Sequence, residues 1–473
     1  MNSHAARQAP DSATRPSQRQ GPAIPRPNGH PAPAPDLEPE PEPSLPPQEA
    51  PWPKAMTEEA SYGIAGEFVR MVEPHTEADP NWLLVLFLLY SGNVLGRSRY
   101  FMVGGDRHYM KLFAVCVGTT SQGRKGSATG PVEMFFTESP EGKEPGLGHL
   151  LTGLSSGEGL IWKIRDPIFK RVTDKKGKVE EQRIDEGEPD KRLVINTGEF
   201  FGVLSVSRRE GNTLSRIIRD AWDRDILESP TKNSPAISTG AHVSIAGNIS
   251  KEELIRTIQD LDADNGLLNR FLWICSHRSK ELPEGGHLSQ VRRSPEWVDL
   301  QRRFNQAAGL LTTPLLVERD SEASDIWGYD DRPGGAYRRL SRERYGLAGT
   351  VTARAAPQVL RIALIYATLD RATKIRREHL EAALAVWKYC EDSAAYIFGS
   401  MLEDPAANTI IDALRNSPTG ITRTEISALF SRHQKSNHIN STLYQLHRKG
   451  MARFEHEDSG GRPKERWFAV SKA

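Results

Sequence analysis

Residues 112–127 read LFAVCVGTTSQGRKGS: six apolar residues, a glycine, then a small and polar loop that carries a lysine and ends on a hydroxyl. An apolar run of this length, closed by glycine, suits a strand buried on both faces of a parallel sheet. The loop behind it holds the ingredients of a phosphate cradle. Gly118, Gly123 and Gly126 let backbone N–H groups approach a phosphate, Lys125 can reach its β and γ oxygens, and Ser127 offers a hydroxyl to Mg²⁺. Thr120, Ser121 and Arg124 complete the candidate nucleotide-binding set. The spacing departs from G-x-x-x-x-G-K-[ST], because Arg124 precedes Lys125 and Gly126 separates Lys125 from Ser127. A glycine- and serine-rich surface loop with a stray lysine is the competing reading.

Downstream, strand-like runs recur at 193–196, 242–246 and 271–275, separated by helical or loop segments. Alternation of this kind implies an α/β sheet with crossover helices. Phosphoryl chemistry on such a sheet needs one carboxylate in the Mg²⁺ shell and another to polarise water. Glu199, just past the run LVIN, is the candidate metal-shell acid beside Ser127, and Glu158 in the small-residue loop GLSSGEG is the candidate general base. Asn248, at the end of a strand, is a candidate γ-phosphate sensor; Arg270, before the next strand, is a candidate finger, with Arg278 and Lys280 as its rivals. The bland readings are a first-turn acid, a turn asparagine and surface arginines.

Working outward, 15 of the 32 prolines fall in residues 1–53, so residues 1–54 are expected to be a disordered proline-rich tail. With 473 residues, two or three folded units are expected beyond it. Residues 55–110 read as an N-terminal helical segment, 111–290 as the nucleotide-binding core and 291–404 as a second helical segment; the charge-rich stretch 167–192 reads as a surface hairpin or insertion. Lys plus Arg (62) nearly cancels Asp plus Glu (61), so any basic patch must be local. The three cysteines, Cys116, Cys275 and Cys390, form no C-x-x-C pair, which fits a reducing cytoplasm. The longest apolar run, Trp82 to Tyr90, is about half of the ~20 residues that cross a bilayer, and no secretory signal is visible.

Residues 405–473 form the local patch, with 11 Lys/Arg against 6 Asp/Glu. Three short helical patterns followed by strand–Gly-Gly–strand predict a winged helix, with 438–449 as the groove-entering helix. Arg448, Lys449, Arg462 and Lys464 are the candidate DNA contacts. A winged helix used for protein contact is the alternative.

Taken together, VGTTSQGRKGS, GLSSGEGLI, VINTGEFFGVL, GNTLSRIIRDAWD, TGAHVSIAGNIS, LLNRFLWICSHRSKELPEGG and ARAAPQVLRIALIYATLD resemble a family of phage- and mobile-element-borne P-loop proteins. That family is a domain of unknown function similar to RecA-type replicative helicases, and the resemblance covers about residues 60–400. It implies an α/β, RecA-like P-loop NTPase core using ATP and Mg²⁺. By it Lys125 and Ser127 match the phosphate-loop lysine and hydroxyl, Glu158 the catalytic glutamate, Glu199 the metal-shell acid and Asn248 the sensor. Relatives often carry an acidic cluster where this chain has Asn196-Thr197-Gly198. The resemblance also implies a homo-oligomeric ring, such as a hexamer, acting on single-stranded DNA in the core and duplex at the winged helix. A primase or other replication proteins are its expected partners, and no membrane. The leading expectation is a DNA-dependent ATPase, a helicase-like motor in replication of a phage, plasmid or integrated element. A nucleotide-switched DNA-binding initiator or adaptor, and the ATPase of an anti-phage defence system, are the rivals.

Overall fold

The computed structural model describes residues 50–470, apart from 119–124, 138–145, 174–178, 210, 230–235, 259–265, 310–313, 329–334, 343, 345, 400–404, 431–435, 449–450 and 458–463. Of the tail expected over residues 1–54, residues 1–49 lie outside the described residues; 50–54 are described, and Trp52 packs edge-on against His277 and Tyr396. Thr120, Ser121, Gly123, Arg124, Lys449 and Arg462 also lie outside the described residues.

The apolar run that opens the reading is a strand, β1 (Phe113–Gly118), in a sheet with β2 (His149–Thr152), β3 (Arg192–Thr197), β4 (His242–Ser250) and β5 (Leu272–Cys275). Every pairing is parallel, and the order across the sheet is β5-β1-β4-β3-β2. The chain therefore leaves β1 for the far edge, returns through β3 and β4, and passes β1 to reach β5. That reversal places a topological switch point between β1 and β4.

Both faces of the sheet are covered, and the strands' two-residue period divides their side chains between two cores. Ala114, Cys116, Val194, Ala246, Leu272 and Ile274 enter one. Phe113, Val115, Val117, Leu193, Ile195, Val243, Ile245 and Trp273 enter the other. The first core is closed by α1 (Gly63–Val72), α2 (Pro80–Leu95), α3 (Thr129–Thr137), and three helices from the second half of the chain: α8 (Pro295–Ala308), α9 (Ala355–Leu369) and α10 (Arg377–Phe398). The helical stretches on either side of the sheet sequence thus share a single core. The second is closed by α4 (Gly157–Lys163), α5 (Phe200–Ser207), α6 (Leu214–Asp223) and α7 (Lys251–Ile258).

Helix α2 carries the longest apolar run, and all its residues but Pro80 are buried, as expected of a helix apolar all round. Pro80 stands at its first turn, and the Asp79 carboxylate caps it by accepting from the Asn81 backbone N–H at 2.9 Å. Asn93, in its last turn, donates Nδ2–H to the carbonyls of Leu193 (3.1 Å) and His242 (3.3 Å), which pins the helix to β3 and β4.

The N-terminal ends of the strands gather cations. Lys111 is buried and donates to the carbonyls of Ala221 (2.9 Å) and Arg224 (2.8 Å) at the end of α6; burial pushes its pKa down to about 7. Arg361 of α9 lies 3.5 Å over the Trp222 ring and donates to the carbonyls of Lys111 and Trp222; burial pushes it down to about 9. These contacts tie α6, β1 and α9 together.

The stretch 167–192 does form a hairpin, Ile168–Thr173 paired antiparallel with Val179–Asp185, nearly all exposed. At the C-terminal end, α11 (Pro405–Arg415), β6 (Ile421–Thr422), α12 (Arg423–Leu429), α13 (Ser436–Arg448), β7 (Ala452–Glu457) and β8 (Lys464–Ala469) enclose a third core around Ile410, Leu443 and Trp467. Its antiparallel sheet runs β6-β8-β7. The Thr422/Glu425 capping box starts α12. Among the described residues no helix is long and apolar enough to cross a membrane, and Cys116, Cys275 and Cys390 are buried and form no disulfide.

Two histidines, His242 buried and His108 half-buried, set an acid limit. Burial, with the positive charge of Lys111, holds His242 well below 6.5, and burial with Arg361 takes His108 down to about 4. Below pH 6.5 the unfolded chain binds protons that the folded chain refuses, so stability falls as pH drops from there toward about 4. The thermal midpoint, followed by circular dichroism, is expected to fall over that window. It should fall less in His242→Gln, which keeps a donor for the Gly92 carbonyl but cannot titrate.

Candidate functional site

A cleft of about 580 Å³ opens at the C-terminal ends of the strands. It is lined by Gly126 and Thr129 beyond β1, Thr152–Leu154 at the end of β2, Asn196–Glu199 at the end of β3, Gly202 and Val203 of α5, and Asn248 of β4. Parallel strands are apolar along their length, so polar side chains reach solvent where the strands end, and this end is where open α/β sheets bind ligands.

Gly118 is the last residue of β1 and is buried. Lys125 opens the short 3₁₀ turn Lys125–Ala128 that leads into α3. Gly126 is exposed, and a Cβ there would meet nothing within 4 Å, so its openness is available for close approach by a ligand. Ser127 is half-buried and is not among the cleft-lining residues; from this stretch it is Thr129, two residues on, that lines the cleft.

Glu199 stands exposed at the start of α5, and its carboxylate makes no capping bond to that helix. Asn248 is 7% exposed, and among the described residues its buried Oδ1 has no hydrogen-bond partner. An unpaired buried acceptor costs about 1–3 kcal/mol, so Asn248 is a group waiting for a donor. At the cleft floor, Asn196 donates Nδ2–H toward Glu133 Oε1 (3.2 Å) and the Tyr90 hydroxyl oxygen (3.3 Å). Tyr90 is fully buried and donates to the same Glu133 oxygen at 2.8 Å. Burial, then the Glu133 charge, pushes the Tyr90 hydroxyl up. Sequence reading missed Thr129, Glu133 and Asn196 as a set. The available signal was spacing: Thr129 and Glu133 are four residues apart on one helix and so share a face.

Glu158 and Arg270 lie outside the cleft lining. Glu158, in the first turn of α4, accepts from the Thr213 hydroxyl at 2.7 Å and the Ser229 hydroxyl at 3.2 Å; the Thr213 bond is the main cause of its lowered pKa. Arg270 precedes β5, at the opposite end of the sheet from the cleft. Its side chain is 7% exposed and paired with Asp223, so its guanidinium is engaged within its own chain. Arg278 pairs with Glu77 at 2.6 Å and Lys280 with Glu73.

In the C-terminal module, α13 buries Ile439, Thr442, Leu443 and Leu446 and exposes Asn437, His438, Ser441, Gln445 and Arg448 on its other side. Lys464 is exposed at the start of β8, opposite Glu457. Elsewhere, Asp370, Glu378 and His379 bring ligand-type atoms within 4.8 Å of one another, but Arg376 pairs with both carboxylates and already supplies the positive charge.

No family model and no curated protein matches the chain.

The Thr213 bond favours the charged form of Glu158, so its contribution to stability is present above the ordinary value of 4.5 and is lost as pH falls through the lowered one. In Thr213→Val, the Glu158 carboxyl is expected to titrate closer to 4.5, as read by side-chain carbon NMR. An unmoved titration would show that Thr213 does not hold this carboxylate.

Proposed function

We propose that the chain is a DNA-dependent ATPase, a helicase-like motor with a RecA-like P-loop core and a C-terminal winged helix, serving replication of a phage, plasmid or integrated element. The observation that carries the reading is the cleft: one opening collects the turn after β1, the acid Glu199 after β3 and the unpartnered acceptor of Asn248 on β4. The switch point between β1 and β4 supports it, because α/β sheets of this kind take phosphates there.

In this reading ATP binds across the turn that begins at Lys125, whose ammonium meets the β and γ oxygens while backbone N–H groups hold the phosphates. The donor set fits Mg²⁺, which prefers oxygen ligands: Thr129 and the exposed Glu199 both line the cleft, with Ser127 in the turn that leads to Thr129. When bound, Mg²⁺ neutralises charge on the phosphate oxygens. Asn248 accepts from the attacking water through its unpaired oxygen, or turns its Nδ2 to donate to the γ-phosphate, and Glu158 is the carboxylate held ready beyond β2.

The polar exposed face of α13 suits a major groove, and Arg448 and Lys464 suit phosphates. A ring of identical subunits remains part of the proposal. The initiator or adaptor reading is favoured by one feature: Asn196-Thr197-Gly198 offers no carboxylate before Glu199.

The deciding experiment is ATP hydrolysis with Mg²⁺, with and without single-stranded DNA, by wild type, Lys125→Ala and Glu199→Gln. Turnover stimulated by DNA, reduced about 100-fold or more in each variant, is expected. Nucleotide binding without turnover would transfer the assignment to the switch-type initiator.

For the C-terminal module, Arg448→Ala and Lys464→Ala are each expected to weaken duplex DNA binding about equally across sequences. Each should flatten the dependence of log K on log salt by about one unit, measured by fluorescence anisotropy. Binding that is unchanged at low salt would point to a protein-contact module instead.

A further inference from the structure

An asparagine is an ambiguous cleft group, since one end of its amide donates and the other accepts. At Asn196 the neighbours remove the ambiguity. Nδ2 faces Glu133 Oε1 at 3.2 Å, and a carboxylate can only accept. The Tyr90 hydroxyl spends its proton on the same oxygen at 2.8 Å, so it too meets Nδ2, at 3.3 Å, as an acceptor. Thr129 Oγ1 lies 3.5 Å away on the same side. With Nδ2 committed to this group, Oδ1 is what Asn196 offers to the cleft it lines. A reversed amide would set its oxygen against a carboxylate, which is repulsive in a half-buried site.

We infer that Glu133 is a positioning residue for the cleft: it fixes the Asn196 amide so that Oδ1 accepts a hydrogen bond from a donor on the ligand side, a water of the Mg²⁺ shell. This rests on the Mg²⁺–nucleotide reading above. The carboxylate that the end of β3 lacks is supplied one layer back, from α3, and acts through an amide. Tyr90, itself fully buried in α2, holds Glu133 in place. Glu133 itself need not touch the nucleotide.

The test is binding of mant-ATP to the full chain with and without Mg²⁺, for wild type, Glu133→Gln, Asn196→Ala and the double variant, with turnover and thermal midpoint measured alongside. Glu133→Gln keeps the shape and the bond from Tyr90, but its new amide can also donate, so the orientation of Asn196 is no longer enforced. The gain in affinity that Mg²⁺ gives wild type is expected to fall about tenfold in both single variants. The Mg²⁺-free affinity should stay unchanged, and the double variant should be no worse than Asn196→Ala. A gain retained in both single variants overturns the inference, and so does a fall that tracks the thermal midpoint and equally lowers Mg²⁺-free binding. Turnover separates this from the wider reading. If wild type hydrolyses ATP while the variants keep their Mg²⁺ gain, the motor stands and the inference falls. If wild type binds without hydrolysis and the variants lose the gain, the inference stands and the motor falls. If wild type binds no mant-ATP, both fall.

Discussion

The constraint on which everything else depends is that the central sheet is buried on both faces. Its inner strands are therefore apolar over most of their length, with alternate residues serving opposite cores, as Phe113, Val115 and Val117 do against Ala114 and Cys116. Buried polar groups are costly unless partnered, so the strands can carry chemistry only at their ends. The same demand explains α2, which sits between sheet and outer helices and has no wet face to keep polar.

The two ends of the sheet then differ in kind. At the N-terminal ends Lys111, Arg270 and Arg361 are consumed by backbone carbonyls, Asp223 and the Trp222 ring, which locks helices from distant parts of the chain to the strand starts. Their pairing leaves little for a ligand. At the C-terminal ends the groups are acceptors: Glu199 is exposed and Asn248 has an orphaned oxygen. Structural cations at one end and unsatisfied acceptors at the other is the electrostatic reason to look for chemistry in the cleft rather than at the arginines.

The alternation of apolar strands and helices was legible because a doubly covered strand leaves an unbroken apolar run. That signal located β1, β3, β4 and β5, and it underestimated β4, which runs on through Gly247 and Asn248 to Ser250. Strand β2 was not legible. It is four residues long at the sheet edge, with a half-exposed pattern, and HLLT carries too little period to distinguish from a loop. Arg270, which comes before its strand, lies at the end of the sheet opposite its own chain's cleft, because in a parallel strand the residue before the strand and the residue after it lie at opposite ends of the sheet.

Local chemistry in the sequence determined the helices, their caps at Asp79 and Thr422, the strand-to-glycine transition at Gly118 and the excess of positive charge after residue 404. These depend on neighbours within a few residues, so the chain order suffices to read them. Tertiary structure alone decided the strand order β5-β1-β4-β3-β2, and with it which strand ends share a cleft. It also brought Tyr90, Glu133 and Asn196, 43 and 63 residues apart, onto one carboxylate oxygen. No local rule relates residues so separated. Their meeting follows from packing α2 and α3 against the same face of the sheet.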